Sequence, residues 1–453
     1  MRLSVAAVLA LLLSPVVLLS GQGGTDNQRW VATWMAAATS RTDPAVPQAQ
    51  AADVRGEIPP AVRAVAPGPQ LPVGGQSPLH VNNQTLRQIV HVTLGGSRLR
   101  VVLTNVFGTA PLSIGAAQVA LRDHDASILP PSSRPLTFDG SPATTIPAGT
   151  IVLSDPVALD VRDFADLAID IYLPNDTATM RSPITTHAAS WQTNYLSTAG
   201  NHVGAASLPV QTTTAYRRQD GLPTATWFFL ARVEVTAPAN AEAIVTLGDS
   251  ITDGTASGID TNNRWPDHLA RRLLGANLRV AVLNAGIGGN RVLGDGNGVS
   301  ALARFDRDVL AQPGVRHVIV LEGINDIGGA RDNPAPGARD LIAAHRQLIE
   351  RAHAHGLRIY GATLTPFEGA NYYSAVGEAK RQALNEWMRT GKAYDAVFDF
   401  DAAVRDPGHP ARTLPQYDAG DHLHLNAAGY KAVADAIDLS VFRPRAAAQT
   451  AAR

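Results

Sequence analysis

Short apolar runs bounded by turn residues fill the chain, and their character changes near residue 240. From about 84 to 236 the runs alternate apolar with polar residues or are rich in β-branched ones, and helical periodicity is scarce. Trp30-Val31-Ala32-Thr33-Trp34, Arg87 to Leu94, Arg98 to Val106, and stretches 113–121, 150–153, 157–161, 166–173 and 226–235 read as strands. Gly95-Gly96-Ser97 lies between two of them and predicts a hairpin with a glycine turn. The pattern predicts a β-sandwich, with a jelly roll as one arrangement, over residues 25–237.

After the linker Pro238-Ala239-Asn240 the period changes. Buried strands are expected at Ala243 to Leu247, Leu278 to Leu283, His317 to Leu321, Leu357 to Thr363 and Ala396 to Phe400. Amphipathic helices are expected at about 264–274, 300–311, 337–355, 376–390 and 427–439. Strands alternating with helices predict a parallel sheet covered on both faces, here an α/β domain over 241–442. Its helix 337–355 carries His345, His353 and His355, read as solvated.

Three flanking segments differ in kind. Arg2 followed by the apolar stretch Leu3 to Leu19 predicts a signal peptide over 1–24 and an exported, secreted or periplasmic protein. The stretch is interrupted by Ser14 and Pro15 and is marginal for the roughly 20 residues of a bilayer span, so no lasting membrane insertion is expected. Residues 40–80 are rich in proline and glycine and predict a long loop inside the first domain, and 443–453 predict a disordered tail.

Composition narrows the chemistry. The chain has 45% hydrophobic and 17% charged residues and a net charge of −1, which is globular usage without the basic field that nucleic acid requires. Cysteine is absent, which removes a thiol nucleophile, a cysteine-ligated zinc site and any disulfide.

Four short blocks follow predicted strand ends, where open α/β sheets place their sites. Gly248-Asp249-Ser250-Ile251-Thr252 puts a serine where a buried strand turns into a loop, although such turns are also common on surfaces. Asn284-Ala285-Gly286-Ile287-Gly288-Gly289-Asn290 lets backbone N–H groups approach a ligand closely, and its glycines do not match a dinucleotide loop. Glu322-Gly323-Ile324-Asn325-Asp326 offers an amide donor, or an asparagine that merely closes a turn. In Asp421-His422-Leu423-His424 a carboxylate three residues before an imidazole can orient it as a base; two histidines beside an aspartate also suit a metal, but further ligands are not evident and no metal is expected.

In this order, each at a strand end of one sheet, the blocks resemble the SGNH (GDSL) hydrolase family across about residues 243–440. The resemblance implies a flavodoxin-like three-layer α/β/α fold and cofactor-free ester hydrolysis. It assigns Ser250 as nucleophile, Asp421 and His424 as acid and base, and Ser250, Gly289 and Asn325 as the oxyanion hole; Gly286 and Gly288 compete with Gly289 for that role. The β-rich region is similar to the extra N-terminal domain of some bacterial members.

Around these, Asn290, Arg291, Phe367, Tyr372 and Tyr373 are candidate substrate-binding residues. Trp191, Tyr195 and Trp227 suit either sugar stacking or a sandwich core. The expected function is a secreted serine ester hydrolase acting through an acyl-enzyme on a small-molecule or glycan ester, with acetyl or short-acyl groups on a carbohydrate foremost. A lipase or lysophospholipase and a non-catalytic carbohydrate-binding surface protein are the alternatives, and no nucleic-acid partner is expected.

Overall fold

The computed structural model describes residues 28–41, 80–217, 223–329 and 335–443. The expected signal peptide, nearly all of the 40–80 stretch and the tail beyond 443 lie outside the described residues.

The N-terminal part is built from two packed antiparallel sheets and a smaller third. One sheet runs Gln28–Met35, Leu230–Pro238, Gly96–Thr104, Val157–Val161. The other runs Val210–Thr213, Tyr195–Ala199, Gln84–His91, Asp166–Leu173, Ala116–Leu121, Arg134–Leu136. Alternate residues from both faces, among them Leu86, Val90, Leu99, Val101, Val119, Ile169, Val233 and Val235, form one core, as the two-residue period requires. Trp191, Tyr195 and Trp227 are buried, and Trp227 belongs to this core.

The hairpin expected across Gly95–Ser97 does not form. Gln84–His91 pairs with Asp166–Leu173 and Tyr195–Ala199, whereas Gly96–Thr104 pairs with Leu230–Pro238, Val157–Val161 and Ile151–Leu153. The two strands therefore belong to opposite sheets. A tight hairpin turn uses positive φ, which neither glycine adopts. Their role is close backbone crossing: a Cβ on Gly95 would lie 2.2 Å from the Val161 carbonyl, and one on Gly96 2.3 Å from that of Thr236.

The C-terminal part is a five-stranded, all-parallel sheet ordered Val280–Gly286, Glu242–Gly248, Val315–Leu321, Arg358–Ala362, Ala396–Phe398. In chain order this is 2-1-3-4-5, the flavodoxin-like winding, and its crevice opens at the carboxyl ends of the first and third strands. The principal helices are Trp265–Gly275, Ala338–Ala354, Ala375–Thr390 and Ala427–Asp435. The helix expected over 300–311 is α-helical at Ala301–Phe305 and then widens into a π-turn at Asp306–Leu310.

In Ala338–Ala354 the buried residues Leu341, Ala344, His345, Leu348, Ile349 and Ala352 form one stripe at three- and four-residue spacing. His345 falls on that stripe and is fully buried, contrary to the solvated reading, while His353 and His355 are exposed. Its Nε2–H donates to the Glu322 carbonyl at 3.2 Å and its Nδ1 accepts from the Tyr394 hydroxyl at 2.5 Å. Burial pulls its pKa down to about 4, so the ring is neutral.

The two parts share packing. Val31, Ala32, Met35, Ala37 and Leu94 from the β-rich part join the core of the parallel sheet. Thr93 Oγ1 accepts from Val282 N at 3.0 Å, covering the open side of the edge strand Val280–Gly286.

Candidate active site

Ser250 opens a short helix, Ser250–Asp253, directly after the strand Glu242–Gly248. Asp249 caps this helix, its Oδ1 accepting from Ile251 N at 2.9 Å. Gly248 is required by space: a Cβ there would meet Thr252 Oγ1 at 2.0 Å. The turn thus aims the serine hydroxyl at the carboxyl edge of the sheet.

His424 Nε2 lies 2.8 Å from Ser250 Oγ, and His424 Nδ1 lies 2.5 Å from Asp421 Oδ2. Asp421 Oδ1 accepts the backbone N–H groups of Leu423 and His424 at 3.1 and 2.9 Å. Burial raises the pKa of the Asp421 carboxyl, but the His424 ring and these N–H groups outweigh it and hold the group well below the ordinary carboxylate range. It is therefore ionised wherever the protein works. With Nδ1–H donating to Asp421, Nε2 is free to accept the serine proton. His422 turns away instead, its Nδ1 2.6 Å from Asp418 Oδ2. Among the described residues no group of three or more His, Asp or Glu is arranged to hold a metal.

Gly286, Gly288 and Gly289 have different duties. Gly286 N–H donates to Asn284 Oδ1 at 2.9 Å, and a Cβ on Gly286 would lie 2.2 Å from Asp253 N, so this glycine lets the turn pack on the serine helix. Gly288 N–H donates to Asp253 Oδ2 at 3.0 Å. Gly289, at φ +73°, has no acceptor for its N–H among the described residues, and neither has Ser250. Asn325 Nδ2 donates one hydrogen to the Asn290 carbonyl at 2.9 Å, and its Oδ1 accepts from the Tyr372 hydroxyl at 3.3 Å. That orientation leaves the second amide hydrogen without an acceptor among the described residues. Burial, together with Asp249 and Asp421, pushes the Tyr372 phenol well above its ordinary pKa, so it keeps its proton and donates.

Two of the five candidate substrate residues cannot touch substrate. Asn290 is fully buried, its Oδ1 accepting from Arg304 Nε and Nη2 at 3.0 and 2.9 Å and its Nδ2 donating to the Val299 carbonyl at 3.0 Å. Phe367 is fully buried and packs edge-on against Tyr373, with ring centroids 5.1 Å apart. Their sites are filled by the protein itself. Arg291 Nη2 donates to the Gly329 carbonyl at 2.6 Å, and Tyr372 and Tyr373 are half-buried.

The residues that sequence reading missed lie one layer below. Arg304, fully buried, donates to the Gly248 carbonyl at 3.1 Å, the Ala285 carbonyl at 2.7 Å, Asn290 Oδ1 and Asp308 Oδ2, and lies 3.5 Å from Glu322 Oε1. It thereby ties together three of the four blocks. Asp326 accepts Val292 N and Leu293 N at 2.9 and 3.0 Å, anchoring the chain after the glycine turn. Burial pushes Asp326 up to about 6 and Asp249 up to about 7, each offset in part by backbone N–H groups. Burial and the nearby Asp249 raise Glu322 well above its ordinary pKa. Asp249 Oδ2 and Glu322 Oε2 are both buried without a partner among the described residues. A charged residue between Ala301 and Phe305 on a buried helical face was the signal for Arg304.

A family profile described as "GDSL-like Lipase/Acylhydrolase family" matches residues 246–432, the span holding all four blocks. Residues 246–432 thus form a GDSL-like lipase/acylhydrolase domain. The matched domain and the esterase relative below support an ester hydrolase, and the sheet order and the serine at the first strand end agree with that. The esterase TesA of Pseudomonas aeruginosa is 29% identical over 171 residues, covering 36% of this chain and 78% of the relative. A solved lipolytic protein of the G-D-S-L family from Desulfitobacterium hafniense is 23% identical, covers 43% of this chain and 96% of its own, and superposes with a TM-score of 0.34. An acetyl xylan esterase from Geobacillus stearothermophilus gives 23% identity, 44% and 94% coverage, and a TM-score of 0.35.

Proposed function

We propose that this GDSL-type protein is an exported serine esterase that removes acetyl or other short acyl groups from carbohydrate-type esters through an acyl-enzyme. The observation that carries the mechanism is the unbroken line Asp421 Oδ2, His424 Nδ1, His424 Nε2, Ser250 Oγ. His424 takes the Ser250 proton as Oγ attacks the ester carbonyl, then delivers it to the leaving alkoxide. Asp421 holds the tautomer and stabilises the imidazolium. The N–H groups of Ser250 and Gly289 and the free hydrogen of Asn325 receive the oxyanion. Water, deprotonated by His424, repeats the attack on the acyl-serine and frees the acid.

The preference for a short acyl group on a polar alcohol is supported by the surroundings of the serine. Asn297 lies against Gly289, where its Nδ2 would be 2.4 Å from an added Cβ, Arg291 reaches the Gly329 carbonyl, and the Tyr372 hydroxyl meets Asn325 Oδ1. These are polar groups that suit hydroxyl-rich leaving groups better than a lipid chain. Export is read from Arg2 and the apolar Leu3 to Leu19.

Ser250→Ala is expected to lower turnover of a short-chain aryl ester by about 10⁴-fold or more and to abolish labelling by a fluorophosphonate. Labelling that survives in this variant places the nucleophile elsewhere. In the wild type, kcat/KM is expected to fall as acyl length rises from two to eight carbons, and acetylated oligosaccharides to be deacetylated. A rising chain-length profile identifies a lipase-type acylhydrolase instead.

A further inference from the structure

Through His187 the β-rich part reaches the helix that Ser250 opens. His187, on the strand Ile184–Ala188, places Nε2 3.1 Å from Asp253 Oδ1 and Nδ1 2.7 Å from the Ala37 carbonyl. Asp253 closes the helix that Ser250 opens, and its second oxygen holds Gly288 N–H. Imidazole and carboxylate are both 4% exposed. A carbonyl only accepts, and so does an ionised carboxylate, so a ring facing one on each nitrogen carries two protons. Burial pulls the ring toward neutrality, as does Arg264, but the Asp253 charge and the two hydrogen bonds outweigh them and the net shift is upward. A buried imidazolium–carboxylate pair thus spans the two parts and ends on the glycine turn.

The contact belongs to a larger grip on the segment after the serine. Gln192 Nε2 and Thr193 N donate to Asp260 Oδ1, each at 2.6 Å, and Thr193 Oγ1 donates to Asp260 Oδ2 at 2.6 Å. Arg264 Nη2 donates to the Ser190 carbonyl at 2.5 Å. Both facing loops hold non-glycine residues at positive φ: Ala189 and Trp191 on one side, Ala256, Asp260 and Asn262 on the other. Such backbone is held only where surrounding contacts over-determine it.

We propose that His187 is a positioning residue of the hydrolase site: clamped between Ala37 and Asp253, it fixes the carboxylate that holds Gly288 and so sets the aim of Gly289 N–H. The inference rests on the reading of Gly289 as an oxyanion donor. It makes the β-rich part a working component of the active site.

The test uses the full chain and a short-chain aryl ester. His187→Gln and His187→Leu are expected to lower kcat by about tenfold or more with KM within about twofold, the leucine variant being worse. Asp253→Asn should fall similarly, and the double variant H187L/D253N should be no worse than the poorer single one, because both break one linkage. Thr193→Ala, which loosens the same interface away from the glycine turn, should lower the melting temperature without changing kcat. Asn325→Ala in the same assay separates the two readings. If it is crippled while folded His187 variants keep wild-type kcat, the positioning role is overturned. If it too keeps wild-type kcat, the oxyanion reading fails first. Where the His187 variants do not fold, ¹⁵N NMR of the wild-type ring decides: two nitrogens that stay protonated to higher pH than in a free imidazole support the clamp, and a neutral tautomer at pH 6 overturns it.

Discussion

Two fully buried arginines show how differently the halves of this molecule treat charge. Arg87 stands directly across from Asp170 on neighbouring strands of the sandwich. Its Nε and Nη2 each meet a carboxylate oxygen at 2.7 Å, and the Ala126 and Ala205 carbonyls take further hydrogens. The pair is one cation to one anion, bidentate and closed. Arg304 instead sits among Asp308, Glu322 and, nearby, Asp249 and Asp326, three of which have raised pKa values. Two carboxyl oxygens there have no partner among the described residues. A buried pair that serves only the fold can be completed, whereas the one beneath a site must also hold loops whose outer faces are left free for chemistry.

The contrast can be broken experimentally. Asn325→Ala has the largest expected effect, about 10²–10³ in kcat from the loss of one oxyanion donor, with the fold retained. Arg304→Met should follow, with kcat down by about 10² in the protein that still folds, because the glycine turn and the Gly248 turn lose their common tether. Wild-type kcat in folded R304M would make Arg304 no different from Arg87. Arg87→Met should cost about 3–5 kcal/mol in urea unfolding, since it strands Asp170 in the core, yet leave kcat of the folded fraction intact. Loss of kcat in that variant would mean that the sandwich core and the site are coupled along its whole length.

The smallest effect is a pH dependence. Asp249 has a folded pKa near 7, above that of a free carboxyl, so the native state binds the extra proton. The stability associated with its neutral form is present at low pH and declines as pH rises toward and past 7. Asp249→Asn removes this titration while keeping an oxygen for Ile251 N. Its melting temperature relative to wild type should be at least about 2 °C more favourable at pH 8 than at pH 5. An equal difference at both pH values would show that the Asp249 carboxyl is already ionised.

The parallel sheet was legible because its signals are local. Each strand is a short apolar run and each helix a stripe, so Glu242–Gly248 and Ala375–Thr390 fall within a few residues of where the pattern puts them. The four blocks are local too: Ser250 and Asn325 follow strands that the sequence places in order, and the loop before Ala427–Asp435 brings Asp421 and His424 to the same edge. Pairing in the sandwich is decided by contacts far apart in the chain, so Gly95-Gly96 reads as a hairpin turn although it carries the chain between sheets. His345 was recoverable from its three- and four-residue spacing with Leu341, Leu348 and Ile349. His187 was not, because nothing near it in sequence reveals Asp253 as its neighbour.

The cover that Thr93 provides for Val282 ties the hydrolase half to the β-rich part. A gene cut at Pro238-Ala239-Asn240 would release a sheet whose edge strand, Val280–Gly286, offers unpaired N–H and C=O groups. Beside them would lie the apolar surface now hidden under Val31, Met35 and Leu94. An open strand edge of this kind invites strands from other copies, so the shortened chain is expected to self-associate where the full chain stays dispersed.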